Sequence, residues 1–225
     1  MSRPQKRIHA VARQKRANGE ASRQRILDAA AEIASERGYE GTSIALVSAR
    51  SGLPASSIYW HFEDKDHLLA RVIERSFNRW LEGMSAWVLP KEGVASKERF
   101  RLAMRRTGRA LLESPDFLRL GLMLALERRP KEASARTLFL QVRAEAYRRM
   151  LESYGQFFKG LDRAGIRALA TISMAVADGL FIAREIEPDR LDFEEAFDLV
   201  TTGLIAMAEQ LQSRIERSRT ASARG

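Results

Sequence analysis

A chain of 225 residues with 45% hydrophobic content is long enough to bury a real core in one or two domains. It has no cysteine, which excludes disulfides and thiolate chemistry and fits a cytoplasmic setting, and no run approaches the ~18 apolar residues of a membrane span. The net charge of +9 lies in the tails: residues 1–19 carry +6 without an acid, residues 213–225 carry +3, and residues 20–212 sum to zero.

The basic stretch 1–19 reads as a disordered N-terminal arm, either plain solvated chain or a source of phosphate neutralisation and minor-groove contacts. It lacks the apolar core of a secretory signal. Ser22 to Arg37 follows as an amphipathic helix with Ile26, Leu27, Ala30, Ile33 and Ala34 on one stripe, ended by Gly38. Thr42 or Ser43 caps a second, short helix with Ile44 and Val47 at helical spacing. Gly52 stands where a left-handed residue ends it, and Pro54 pre-sets the start of a third helix. On that helix Ile58 and Phe62 share an inward face, while Ser56, Ser57, Tyr59, Trp60 and His61 are left outward or sideways. An exposed Tyr-Trp-His cluster on about two turns of helix is costly unless something binds it. Two short helices joined by a tight glycine turn, the second carrying donors and aromatics, predict a helix-turn-helix for DNA.

Asp64 offers an N-cap to a fourth helix, Lys65 towards Trp87, with Leu68, Leu69, Val72, Ile73, Phe77, Trp80 and Leu81 in register. A loop is expected from Leu89 to Ser96, around Pro90 and Gly93. Helices then follow over 96–112 and 116–128, the latter apolar almost all round and so central and buried, stopped by Arg128-Arg129-Pro130. Three more are expected over about 131–158, 163–186 and 192–217. Small residues Ala168, Ala175, Gly179 and Ala183 mark a face for close helix approach. With no strand pattern and no repeat, the fold expected is all-α: a three-helix head at 20–66, a helical bundle at 67–212 and a basic tail at 213–225.

The head resembles the helix-turn-helix of the TetR/AcrR family of transcriptional regulators. The resemblance runs from about Gln24 to Leu69, a fifth of the chain, and rests on a few quoted pieces. They are Gly38-Tyr39, Thr42-Ser43, Gly52-Leu53, Ser57-Ile58-Tyr59-Trp60-His61-Phe62, and Lys65 with Leu68-Leu69. Ser48 and Ser51 stand where the family often has alanine, and Ala45 where a basic residue is common. The resemblance implies DNA contacts at Ser43, Ala55, Ser56, Ser57, Tyr59, Trp60, His61 and Lys65. Tyr59, His61 and Lys65 would meet phosphates and Trp60 would reach the groove. Several have a plainer alternative: a helix cap for the serines, a packing role for Tyr59, a carbonyl partner for His61.

The three histidines, His9, His61 and His67, all precede the last 158 residues, and no phosphate loop or nucleophile motif occurs. An enzyme is therefore not expected, nor a metal or cofactor. Met104, Phe117, Leu120, Met123, Phe139, Tyr147 and Phe181 could line a pocket or simply form core. The resemblance implies a small-molecule effector in that domain, and methionines with aromatics suit a lipophilic one. The expectation is a homodimer paired through the last two helices, with Gly179 and Leu204 at the seam. It would bind a near-palindromic double-stranded operator, most simply as a repressor released by the effector and with no membrane partner. A constitutive or architectural DNA-binder without an effector is the alternative.

Overall fold

The computed structural model describes residues 3–85, 96–126 and 134–222, and the secondary structure among them is all helical. The helices are α1 (Arg3–Arg37), α2 (Ile44–Ser51), α3 (Ala55–His61), α4 (Lys65–Ser85), α5 (Ser96–Glu113), α6 (Asp116–Leu126), α7 (Ser134–Phe157), α8 (Arg163–Ile186) and α9 (Phe193–Ser222). The expected loop through residue 95 and the Arg128-Arg129-Pro130 stop lie outside the described residues.

Three expectations need correcting. The stretch 3–19 is not a disordered arm but the first half of the 35-residue α1. Its Arg, Lys, Gln and Ala residues are good helix formers, and Pro4 falls in the first turn, where a missing amide costs nothing. The last helix runs past its expected end at about 217, to Ser222. Helix α6 is not buried all round: Leu118, Leu120 and Leu124 are buried, whereas Met123 is 45% and Leu126 80% exposed.

The chain divides into two compact units. The first comprises residues 1–76 together with 119–140, so a segment expected in the bundle belongs with the head. Its core is built from Ile26, Leu27, Ala30 and Ile33 of α1, Val47 of α2, Ile58 and Phe62, and Leu68, Leu69 and Ile73 of α4. The α6–α7 segment is tied into this unit in several places. Arg119 hydrogen-bonds the Ser35 hydroxyl, and the Met123 methyl packs where a Cβ on Gly38 would stand, 2.6 Å away. The Asp66 carboxylate accepts from the amides of Ser134 (2.6 Å) and Ala135 (3.2 Å) and from the Tyr39 hydroxyl (3.0 Å). Asp66 of α4 thus caps the start of α7, whose first amides have no intrahelical acceptor. Phe139 packs on Gly121, where any Cβ would fall 2.0 Å from its ring.

The second unit comprises residues 77–118 and 141–225. Phe100 packs edge-on against Tyr154, Phe157 and Phe158, with ring centroids 4.8–5.5 Å apart. Phe197 of α9 fills the notch at Gly108 of α5, and Arg105 holds Asp198 in a fork at 2.8–3.0 Å. Arg143 of α7 makes a two-pronged ion pair with Asp178 of α8. Contrary to the sequence expectation, α8 is long and apolar enough, by length and composition, to cross a membrane. One of its faces is built into the bundle through Ile166, Leu169, Ala170, Ser173 and Phe181. Leu204, expected at a dimer seam, is fully buried within its own chain.

Candidate nucleic-acid interface

Helix α2 begins at Ser43, whose hydroxyl accepts from the Leu46 amide at 3.3 Å, the ordinary capping bond. It ends at Gly52, whose φ of +65° is the left-handed conformation that glycine reaches without a steric penalty. The turn is pinned from both sides. Arg25 of α1 donates to the Ser51 carbonyl at 2.6 Å, and the Ser48 hydroxyl donates to the Leu53 carbonyl at 2.7 Å. Buried Thr42 donates to the Gly38 carbonyl at 2.7 Å. The serines at 48 and 51 thus have local work that alanine could not do; Ser51 also receives the Leu53 amide at 3.3 Å.

Pro54 precedes α3 with φ −64° and offers no side-chain cap. Ile58 and Phe62 are buried, and the exposure of the intervening aromatics is large: 57% for Tyr59 and 76% for Trp60. Ser56 is exposed, and Ala55 and Ser57 are half-buried. Trp60 stands edge-on to His61 with centroids 4.6 Å apart. The α1 extension runs beside this helix: a Cβ on Gly19 would stand 3.8 Å from the Trp60 ring. Arg23 lies over the Phe62 ring at 5.7 Å. Burial holds the His61 imidazole below its ordinary value, Arg23 adds to that, and Glu20 opposes it. Lys65 is less free than expected for a phosphate contact. Its ammonium donates to the Tyr39 carbonyl at 3.2 Å, pairs with Glu40 at 3.4 Å and sits 4.5 Å over the Tyr39 ring.

The expected DNA residues therefore gather on one short stretch, Ser43 at the foot of α2 and the others on α3 and the start of α4. The expected pocket residues are divided between the two units. Leu120, Met123 and Phe139 lie in the first unit, whereas Met104, Tyr147 and Phe181 lie in the second; the Phe117 side chain is outside the described residues. A cavity of about 270 Å³ does exist within the second unit, and of the described members of the expected set only Met104 lines it. Its other walls include Trp80, Leu81, Thr107, Met150, Tyr154, Ser173 and Phe197. Tyr147 instead bonds the Thr171 hydroxyl at 3.0 Å, and Phe181 is core. Tyr154 and Ser173 are invisible to periodicity, since a polar group on an inward face gives the same pattern as an ordinary interruption of an apolar stripe.

Residues 26–72 match the bacterial regulatory proteins of the tetR family. The HTH-type transcriptional regulator AcrR of Shigella flexneri is 35% identical over 66 residues, 29% of this chain and 31% of that protein. The HTH-type transcriptional repressor KstR of Mycolicibacterium smegmatis is 40% identical over 57 residues, 25% of this chain and 28% of that protein. The matched stretch thus spans about a third of the length of these curated relatives. The crystal structure of the transcriptional regulator FadR from Bacillus subtilis, in complex with stearoyl-CoA, superposes with a TM-score of 0.65 at 18% identity. That superposition covers 82% of this chain and 98% of FadR, a likeness of fold.

Proposed function

We propose that this chain, which belongs to the TetR family, is a DNA-binding transcriptional regulator, a repressor whose operator binding is relieved by a small lipophilic effector. One observation carries this reading: Tyr59 and Trp60 stand exposed on a two-turn helix whose inward face is already filled by Ile58 and Phe62. Such a helix presents aromatic and donor groups to a major groove, with Ser43, Ser56, Ser57 and His61 beside it for phosphates. Lys65 reaches phosphate only by leaving Tyr39 and Glu40. The helical extension of α1, with six basic residues among the first 19, adds sequence-independent phosphate contacts. Deleting residues 1–18 should make the slope of log affinity against log salt shallower by about 0.9 for each phosphate no longer neutralised.

The regulator acts as a homodimer, in the cytoplasm with its DNA. Support comes from α8, where Ala168, Ile172, Ala175, Gly179, Ile182 and Ile186 recur at alternating spacings of four and three, on the side turned away from the bundle core. On α9, Leu199 is 73% exposed and Gly203 has open space above it. A 3.5-residue apolar repeat on the outside of a bundle is the seam of a helix–helix interface, and a second copy closes it with two-fold symmetry. The same seam explains why α8 is apolar enough for a membrane while Asp178 and Ser173 on it bond neighbouring helices.

The cavity among Trp80, Met104, Met150 and Phe197 is the effector site. FadR's complex with stearoyl-CoA makes a lipophilic ligand in this fold reasonable. A ligand that fits one conformation of the dimer better than another shifts the separation of the two α3 helices away from the one-turn spacing of a palindrome. By linkage, the factor by which effector weakens operator binding equals the factor by which operator weakens effector binding. The test is a titration of the DNA beside the protein's own gene, with and without candidate lipophiles, and the reciprocal titration. Operator binding that no bound lipophile alters would make the chain a constitutive DNA-binder.

A further inference from the structure

Three of the hydroxyls that line the effector cavity have spent their hydrogens on other protein atoms. Tyr154 donates to Ser173 Oγ at 2.8 Å, Ser173 donates to the Leu169 carbonyl at 2.8 Å, and Thr107 donates to the Ala103 carbonyl at 3.0 Å. Met104 Sδ, 3.6 Å from the phenol oxygen, is a weaker alternative acceptor for the same single hydrogen. What these three groups offer an occupant is therefore lone pairs. Burial pushes the Tyr154 phenol above its ordinary value, so it stays a neutral hydroxyl.

Charge points the same way. The cation on the wall, Arg149, bonds Glu145 at 2.6 Å, and Arg148 and Arg149 together hold that carboxyl down at about 2. The wall carboxylate, Glu152, is bonded by Arg148. Both wall charges are thus neutralised by protein partners, so an ion entering the cavity finds no uncompensated countercharge there to offset its desolvation. The remaining side-chain donors, on Ser153, Gln156 and the outer guanidinium nitrogens of Arg149, belong to one half-buried and two exposed residues. An ether, ketone or carboxylate buried against Tyr154 and Ser173 would set acceptor against acceptor, with the desolvation penalty of an unmade bond.

We propose that this cavity selects an uncharged apolar molecule bearing one hydrogen-bond donor, an alcohol or phenol, against an acid or a donor-free analogue of the same shape. This rests on the cavity being the effector site proposed above.

Isothermal titration of the full-length protein with 1-naphthol, 1-methoxynaphthalene and 1-naphthoate separates donor, acceptor and anion on one ring system. The expected result is 1-naphthol binding roughly tenfold more tightly than either analogue, a neutral buried hydrogen bond plus an avoided mismatch. In the double variant Tyr154→Phe, Ser173→Ala, checked for folding by circular dichroism, the preference over 1-methoxynaphthalene should shrink to about twofold. If that variant does not fold, the ranking on the unaltered protein still decides. Equal or tighter binding of either analogue overturns the inference, as does a folded double variant that keeps the full preference. An operator titration with the tightest probe separates the two proposals. The expected ranking with no change in operator affinity keeps the selectivity and removes the effector role. A reversed ranking with weakened operator binding does the opposite. No binding by any of the three overturns both.

Discussion

Both units of this protein contain side-chain bonds to main chain and to other side chains, but their defining features use them differently. In the head, side chains reach back to the main chain: Arg25 to Ser51, Ser48 to Leu53, Thr42 to Gly38 and Lys65 to Tyr39, each bond fixing the path of a turn. In the second unit, side chains meet side chains across helices, through the Phe100 cluster and the Arg105–Asp198 and Arg143–Asp178 pairs, and a cavity is left among them. A surface that must match a rigid duplex has its backbone bolted in place. A unit proposed to accept a guest forgoes some packing, because atoms facing a void have no dispersion partners on that side.

The sharpest way to break that contrast lies in α8 and α9. Leu204 is fully buried, so Leu204→Arg forces an unpaired guanidinium into the second unit and should cost about 3–5 kcal/mol, seen as loss of its cooperative melt. Gly179 has open space where a side chain would go, so Gly179→Arg should keep the helical circular dichroism and sediment as a monomer. A Gly179→Arg protein that remains dimeric places the interface away from the α8 seam.

A smaller effect is expected at Trp60. Because 76% of it is exposed, Trp60→Ala should leave the melting temperature close to that of the unaltered protein while weakening operator binding by about 1–3 kcal/mol. Gel-shift titration measures the second quantity, and an unchanged affinity makes the ring a bystander.

Next comes Asp66 of α4, on which Tyr39 and the start of α7 converge. Burial raises its pKa, but the donors from Ser134, Ala135 and Tyr39 outweigh burial and leave it below the ordinary value. A carboxylate lowered in this way adds stability that is present above its unfolded pKa and lost as pH falls through the folded one. Asp66→Ala should cost about 1–2 kcal/mol at neutral pH, the range for removing a helix cap, with a smaller loss for Asp66→Asn. In chemical denaturation at falling pH, the stability of Asp66→Asn should decline less steeply than that of the parent below about pH 4. Parallel declines would show that the carboxylate does not hold α7.

What is legible in the sequence follows the same division. The α2–α3 turn can be read from Ser43, Gly52 and Pro54 because caps and left-handed residues act locally, within a few residues of chain. The helical first half of α1 is missed when charge is weighed above propensity: uncompensated arginines and lysines read as disorder, yet they are also good helix formers. The cavity escapes for another reason. Periodicity reveals that Met104, Phe139 and Phe181 face inward, not whether they meet a neighbour or a void; Phe139 meets Gly121, and both belong to the first unit, whereas the cavity lies in the second. Asp66 offers no signal at all, since its partners lie 27, 68 and 69 residues away.

The finest expected effect is a proton. His61, the last residue of α3, lies against the Trp60 and Phe62 rings, with Arg23 and Glu20 of α1 as the charges that act on it. Its folded pKa is lowered, so between that value and the unfolded value of about 6.5 the unfolded chain binds more protons than the folded one. Stability of the free head therefore falls as pH is brought down through that window. Operator binding should run the opposite way, because a phosphate beside the ring favours imidazolium and binding then takes up a proton. Between pH 7.5 and 5.5, at fixed ionic strength, operator affinity of the parent should gain roughly two- to tenfold over that of His61→Gln, which keeps a donor but cannot titrate. His9 and His67 are common to both proteins and cancel in the comparison. Two superimposable pH profiles would mean that His61 faces no phosphate, and that the phosphate contacts of this head come from the serines, Tyr59 and the basic half of α1.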